Sequence, residues 1–193
     1  MVKLVTFGET MVVYNAGYTG PYREGGEYLE YCAGAESNVA VDLGKLGIPN
    51  VETTWVSRLG DDEAGSLILG ALAGKTRVFA PKHAGEHTGL SYLNHHLDGE
   101  HVKTYRRKGS AASRLTFEEV RPHLDGCDLL HVTGITPALR ETCRETIFEA
   151  LRHAASAGLP VSFDLNYRAQ LWDPHDAKPV FEEMLELSSI FKL

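Results

Sequence analysis

Residues 37–73 read SNVAVDLGKLGIPNVETTWVSRLGDDEAGSLILGALA, and the apolar period changes twice along them. From Ser37 to Leu46 the apolar side chains Val39, Ala40, Leu43 and Leu46 share one helical face, and Gly47 followed by Pro49 ends the helix. Val51 to Val56 is a strand and Gly60-Asp61-Asp62 a turn. Glu63 to Ala73 then returns to helical spacing through Ala64, Leu67, Ile68, Ala71 and Leu72. Preceded by the apolar strand Lys3 to Phe7, this alternation predicts an α/β fold, a mostly parallel sheet with helices on both faces.

Outward from this unit, the first strand stops at Gly8 and a second runs from Met11 to Tyr14, while Gly17 to Gly26, with four glycines and a proline, reads as a loop. Leu90 to Leu97 and Glu100 to Arg106 flank Asp98-Gly99, which signals a two-residue hairpin turn. That hairpin interrupts the α/β alternation, so it and the early strands are expected to form a small β-structure over one edge of the main sheet. Thr116-Phe117-Glu118-Glu119 has the form of a capping box opening a short helix. Leu129 to Thr133 reads as a buried strand, Pro137 to Ala157 as one long helix ending at Gly158, and Pro160 to Phe163 as the next strand. Asp176 to Leu187 is helical and Ser189 to Leu193 a strand again. Because the sequence stops inside that apolar strand, a truncated or partly covered chain is expected. In such sheets ligands bind beyond the carboxyl ends of the strands, which directs attention to the residues after Phe7, Val56, Val132 and Phe163.

With 26 acidic and 19 basic side chains in 193 residues, a formal charge of −7 argues against a nucleic-acid partner, which would select a basic face. Hydrophobic residues at 43% and charged residues at 23% suit a globular protein and are too apolar for disorder. No apolar run approaches the roughly 18 residues of a membrane span. Met1 to Val5 leads straight into a strand where a signal peptide would differ, so a cytoplasmic location is expected. Cys32, Cys127 and Cys143 are widely spaced and form no C-x-x-C pair, so buried or idle thiols are expected.

Several segments can carry chemistry, each with a plainer alternative. Gly70-Ala71-Leu72-Ala73-Gly74-Lys75-Thr76 resembles a phosphate loop, but it is one residue short between its glycines and follows a helix, so Gly74 reads as a helix terminator. With a two-residue turn, His96 faces His101 across the hairpin and the pair would share a metal, with His95 on the other face; a third ligand is lacking, and solvated imidazoles are the alternative. Cys32 to Ala40 is a small-residue turn into the first helix. There Gly34 lets a ligand approach the backbone and Asn38 offers both a donor and an acceptor, the alternative being an ordinary helix start. In Tyr105-Arg106-Arg107-Lys108-Gly109-Ser110, Tyr105 and Arg107 project to one face and Arg106 to the other, so Tyr105 and Arg107 can act together on a carboxylate or phosphate; an edge strand made soluble by charge is the alternative. Asp164-Leu165-Asn166-Tyr167-Arg168 follows a buried strand, where Asp164, Asn166 and Arg168 are costly unless they bind something or cap backbone.

Together these segments resemble the ribokinase-like (PfkB) sugar kinases, and most closely the 2-keto-3-deoxygluconate kinase branch. Gly34-Ala35-Glu36-Ser37-Asn38-Val39-Ala40 through Leu46-Gly47, then Arg58-Leu59-Gly60-Asp61-Asp62 with Gly65, match the N-terminal signature of that family. Tyr105 to Ala111, and Asp164 to Arg168 with Leu171-Trp172, narrow the resemblance to the branch. It implies an α/β sandwich with a β-sheet lid from about residues 10–32 and 88–107, so that residues 1–193 are the N-terminal part of one kinase domain. It also implies transfer of the ATP γ-phosphoryl group to a sugar hydroxyl with Mg²⁺, in a homo-oligomer formed through the lid strands.

By the same resemblance, Gly34 and Asn38 hold sugar hydroxyls, Tyr105, Arg107 and Arg168 hold a sugar acid, and Asp164 and Asn166 lie near phosphate and metal waters without ligating the metal directly. Leu165 stands where the family often has proline, and the segment from Leu72 to Thr88 is shorter than the family leads one to expect. The family's glycine-rich G-A-G-D segment, whose aspartate is the base and whose amides stabilise the phosphoryl group, does not occur in these residues, nor does the ATP-binding region. The expectation is therefore a chain that by itself binds sugar weakly and transfers nothing. A PfkB kinase for a neutral sugar such as fructose or a nucleoside is one alternative, and a non-catalytic sugar-acid binding module or fragment is another.

Overall fold

The computed structural model describes residues 1–192. In chain order the first elements are β1 (Val2–Phe7), β2 (Met11–Thr19), β3 (Tyr28–Ala33), α1 (Ala35–Lys45), β4 (Val51–Val56), β5 (Leu59–Gly60) and α2 (Glu63–Leu72). Then come β6 (Arg77–Phe79), β7 (Lys82–His83), β8 (Leu90–His95), β9 (His101–Arg106), α3 (Phe117–Leu124) and β10 (Leu129–Thr133). The chain continues through α4 (Thr136–Leu139), α5 (Glu141–Ala157), β11 (Val161–Asp164), α6 (Pro174–Glu186) and β12 (Ile190–Lys192).

The central sheet is parallel throughout, in the order β12-β11-β10-β1-β4-β6, as the alternation of strands and helices requires. One face buries Val5, Phe7, Leu130, Val132 and Phe163 under α3, α5 and α6. On the other, Trp55 packs with Ala40 of α1 and Ala64 and Ile68 of α2. From β1 the chain moves outward to β4 and β6, then returns to β10 and proceeds the other way. The strand order therefore reverses between β1 and β10, and a crevice opens there at their carboxyl ends.

A second sheet, β3-β2-β8-β9, forms the lid: β2 with β3 and β8 with β9 are antiparallel, and β2 with β8 is parallel. One lid face carries Tyr14, Tyr28 and Tyr92, with Tyr14 and Tyr92 stacked at 5.3 Å. Among the described residues no helix is long and apolar enough to cross a membrane.

Three local expectations change. The strand starting at Met11 continues to Thr19, and Gly17 N–H donates to the Glu27 carbonyl at 2.9 Å, so the glycine-rich loop is shorter than its composition suggests. The hairpin turn uses three residues: His96 N–H donates to Glu100 O, and Gly99 takes φ 87° in the position a third loop residue needs. This shifts the register by one, so His95 faces His101 and His96 faces Glu100. The helix expected over Pro137 to Ala157 breaks at Arg140, whose φ of −170° and ψ of 161° are extended, leaving α4 and α5 as separate helices. The segment from Leu72 to Thr88 holds β6 and β7, two short strands without a sequence signal of their own. Leu193, the end of the last expected strand, lies outside the described residues.

Asp62 shows why the Gly60-Asp61-Asp62 turn takes this form. Its Oδ1 accepts from Gly65 N–H and Thr88 O–H and its Oδ2 from Thr88 N–H, each at 2.7 Å, capping α2 and fastening it to the chain entering β8. Burial works against its charge, but the Thr88 donors and Gly65 N–H hold its pKa below the ordinary aspartate value. The Thr116 and Glu119 capping box is formed as expected, with Thr116 N–H donating to Glu119 Oε2 at 3.0 Å.

Two helix glycines separate close packing from mere helix propensity. A Cβ on Gly44 collides with the Lys75 carbonyl, whereas one on Gly70 meets nothing within 4 Å. Gly44→Ala is expected to cost about 1–3 kcal/mol as an overpacked backbone contact. Gly70→Ala is expected to stabilise by about 0.5–1 kcal/mol. Denaturant melts of the two variants check the opposite signs.

Candidate functional site

A cavity of about 470 Å³ lies where the strand order reverses, between the carboxyl ends of the central strands and the lid. Gly34, Asn38, Tyr105, Arg107, Asp164, Asn166 and Arg168 all line it, so the structure brings together the seven residues that the family resemblance pointed to. Glu9 and Lys103 line it as well. Glu9 follows Gly8 after β1, one of the positions indicated by the sheet rule. Lys103 shares the period-two face of Tyr105 and Arg107. Arg106, on the opposite face, lines a separate hollow with Tyr22 and Tyr92.

Gly34 precedes α1 in extended conformation, φ −153° and ψ 143°. A Cβ there would collide with the Glu9 carbonyl oxygen and crowd the Ser37 and Thr10 hydroxyls, so packing of the helix start against the β1–β2 turn already requires glycine. Asn38 sits in the first turn of α1 with Oδ1 3.5 Å from Gly34 N, a long contact that leaves the exposed amide free for a ligand.

Arg107 is held tightly. Its Nε donates to Glu9 Oε2 at 2.7 Å and its Nη2 approaches the same oxygen at 2.6 Å, while Ser110 O–H donates to Glu9 Oε1 at 2.5 Å. Glu9 is 2% exposed. Across the cavity, Gly134 packs beneath the Leu165 carbonyl, where a side chain would collide, and Gly134 N–H donates to Asp164 O at 3.0 Å. Asn166 then adopts φ 39°, a left-handed conformation that asparagine tolerates better than most residues. Asp164 Oδ2 lies 3.7 Å from the Lys192 ammonium.

Beneath the cavity, Glu36 is fully buried, with Oε1 accepting from the Thr133 and Thr136 hydroxyls at 2.7 Å each and Oε2 unpartnered. Burial raises its pKa despite those two hydrogen bonds. Sequence reasoning quoted Glu36 only as part of a motif and passed over Glu9 and Lys103. Period-two spacing from Tyr105 was the available signal for Lys103; for Glu9 it was the position after β1.

The remaining sequence candidates lie elsewhere. Lys75 donates to the Ala71 carbonyl at 2.7 Å and Gly74 turns at φ 71°, a helix terminus and not a phosphate loop. The imidazoles that meet are His95 and His101, with Nδ1 atoms 2.8 Å apart and His95 Nε2 2.7 Å from Asn15 Oδ1, so the His96 and His101 metal pair is not formed. Among the described residues no group of three His, Cys, Asp or Glu side chains could hold a metal ion. Burial pushes the Cys143 thiol up to about 12 and the Cys127 thiol to about 11, which keeps both inert.

The pfkB family carbohydrate kinase profile matches residues 1–193. The chain belongs to the pfkB family of carbohydrate kinases. It is 37% identical over 173 residues to a 2-dehydro-3-deoxygluconokinase of Bacillus subtilis (strain 168), a match covering 87% of this chain and 52% of that protein. It is 35% identical over 188 residues to a 2-dehydro-3-deoxygalactonokinase of Haloferax volcanii, covering 94% and 57%. Plant fructokinases match across similar spans at lower identity. A PfkB protein of Polaromonas sp. JS666 superposes with a TM-score of 0.89 at 30% identity, over 99% of this chain and 65% of that one. The chain thus spans about half the length of the curated relatives it matches.

The two buried glutamates respond differently to mutation. Glu9→Ala strands the Arg107 guanidinium, itself 10% exposed, and is expected to cost about 3–5 kcal/mol in a denaturant melt. Glu36 binds its proton more tightly folded than unfolded. Its contribution is therefore complete below the unfolded value of 4.5 and is lost as pH rises from there through the raised folded value. Glu36→Gln should gain stability relative to wild type as pH rises above 4.5, and a pH-independent difference between the two would contradict a raised Glu36 pKa.

Proposed function

We propose that the protein phosphorylates 2-keto-3-deoxygluconate or a similar sugar acid, and that these residues are the sugar-binding, N-terminal part of its kinase domain. The observation that carries this reading is the charge of the cavity: Lys103, Arg107, Arg168 and Lys192 stand against only Glu9 and Asp164. A neutral sugar leaves that excess uncompensated, whereas a carboxylate meets it. The identities to sugar-acid kinases support the same choice over the fructokinases.

In this reading Gly34 and Asn38 orient the sugar hydroxyls, and Tyr105, Arg107 and Arg168 hold the acid. Glu9 keeps Arg107 from turning away. The Asp164 carboxylate and Asn166 amide at the end of β11 are the donor types that suit the water shell of Mg²⁺. ATP and Mg²⁺, when bound, supply the γ-phosphoryl group and neutralise its developing charge. The base and the phosphoryl-stabilising amides are assigned to a glycine-rich segment that these residues lack, so the residues alone bind sugar without transferring phosphate. The lid leaves Leu29, Tyr31 and Val102 exposed on β3 and β9, which supports a homo-oligomer closed through lid strands. A cytoplasmic location fits a kinase drawing on ATP.

Calorimetric titration without ATP tests the substrate class. The sugar acid is expected to bind at least about tenfold more tightly than fructose, a difference of about 1.4 kcal/mol. Equal or tighter binding of fructose would transfer the protein to the neutral-sugar kinases, and heat from neither ligand at millimolar concentration would reject a sugar site in this cavity.

A further inference from the structure

We infer that Lys103, together with Arg168, anchors the carboxylate of the substrate and is a specificity-determining residue of the cavity. This deepens the sugar-acid reading above and rests on it. The argument begins with how the cations of the cavity are partnered. Arg107 gives both its Nε and Nη2 to one buried Glu9 oxygen, so it offers a ligand only its remaining N–H groups and little net charge. Lys192 stands at the rim beside Asp164. Among the described residues, neither Lys103 nor Arg168 takes part in an ion pair.

The lid strand delivers Lys103 to this position. In β9 the side chains of Lys103 and Tyr105 fall on the cavity face, and Arg107 continues the alternation just beyond the strand. The Lys103 ammonium and the Arg107 guanidinium each lie 5.5 Å from the centroid of the Tyr105 ring, so one aromatic side chain gathers two cations. Partial burial favours the neutral form of Lys103, and the positive charges of Arg168 and Arg107 act in the same direction. A carboxylate entering between them relieves the repulsion. The flexible lysine stem follows the incoming anion, and the planar fork of Arg168 fixes its orientation. A neutral ketose relieves nothing, so Lys103 discriminates between acid and neutral sugars more than it contributes to sugar binding in general.

Calorimetry on the protein, with 2-keto-3-deoxygluconate as the probe and fructose as the neutral control, tests the assignment through Lys103→Gln and Lys103→Arg. Lys103→Gln is expected to weaken the acid by about 10- to 100-fold, the loss of one charge-assisted contact, without changing fructose binding. Lys103→Arg should stay within about threefold of wild type for the acid, because it keeps the positive charge that Lys103→Gln removes. Acid binding by wild type that stays within about twofold in Lys103→Gln would overturn the inference and leave the sugar-acid reading standing. Wild-type protein that binds fructose no more weakly than the acid would overturn both.

Discussion

Glu9 leaves the carboxyl end of the central strand β1 and accepts hydrogen bonds from Arg107 at the end of lid strand β9 and from Ser110 just beyond it. Burying this pair costs desolvation of both charges, and the cost is offset only because the guanidinium and the hydroxyl together occupy both carboxylate oxygens. The surroundings are built to admit the clamp. A side chain on Gly34 would strike the Glu9 carbonyl, and one on Gly89 would crowd the Glu9 carboxylate. Through this contact the lid is registered on the sandwich, and with it the positions of Tyr105 and Lys103 over the crevice between β1 and β10.

A second clasp holds the other side of the lid. Asp62 ties the start of α2 to Thr88, immediately before β8, while Gly60 N–H donates to the Thr88 hydroxyl at 3.0 Å. The lid is therefore fixed at β8 by a helix cap and at β9 by a buried ion pair. Between these anchors its tyrosine-bearing face forms a small aromatic cluster, leaving the other face to line the cavity. Neither clasp is hydrophobic: the Asp62 clasp uses backbone N–H groups, one of which the start of α2 would otherwise leave unsatisfied, and the Glu9 clasp uses a guanidinium and a hydroxyl.

The consequence for ligand choice is electrostatic. A chain with a formal charge of −7 nevertheless gathers cations into one cavity, and only part of that charge is cancelled by Glu9 and Asp164. Membership of the pfkB family establishes the scaffold, and the cavity's excess of cations is the feature on which the proposed sugar-acid reading rests. Glu36, by contrast, is buried under the site with Oε1 between two threonine hydroxyls, and burial raises its pKa despite those hydrogen bonds.

The α/β alternation, the helix that follows Gly34, the Thr116 capping box and the shared face of Tyr105 and Arg107 were all legible in the sequence, because each depends on spacing within a few residues. Gly34, Asn38, Asp164 and Arg168 were legible too, since glycine, amide and charge at strand or helix ends stand out against an apolar framework. The hairpin register was not, because a left-handed Gly99 serves a two- or a three-residue loop equally well in composition and only the pairing of His95 with His101 chooses between them. The break at Arg140 escaped for a similar reason: the helical period of α5 extends back through α4, and no proline or glycine marks the residue where the backbone becomes extended. The partner of Arg107 was out of reach for a longer-range reason. Glu9 lies 98 residues away, and only folding decided that its carboxylate would pair with Arg107 and leave Lys103 and Arg168 lining the cavity outside any ion pair among the described residues. Local spacing thus singled out Gly34, Asn38, Tyr105, Arg107, Asp164, Asn166 and Arg168, and tertiary contact determined which of the cavity's charges are paired, because charge compensation depends on distance in space and not along the chain.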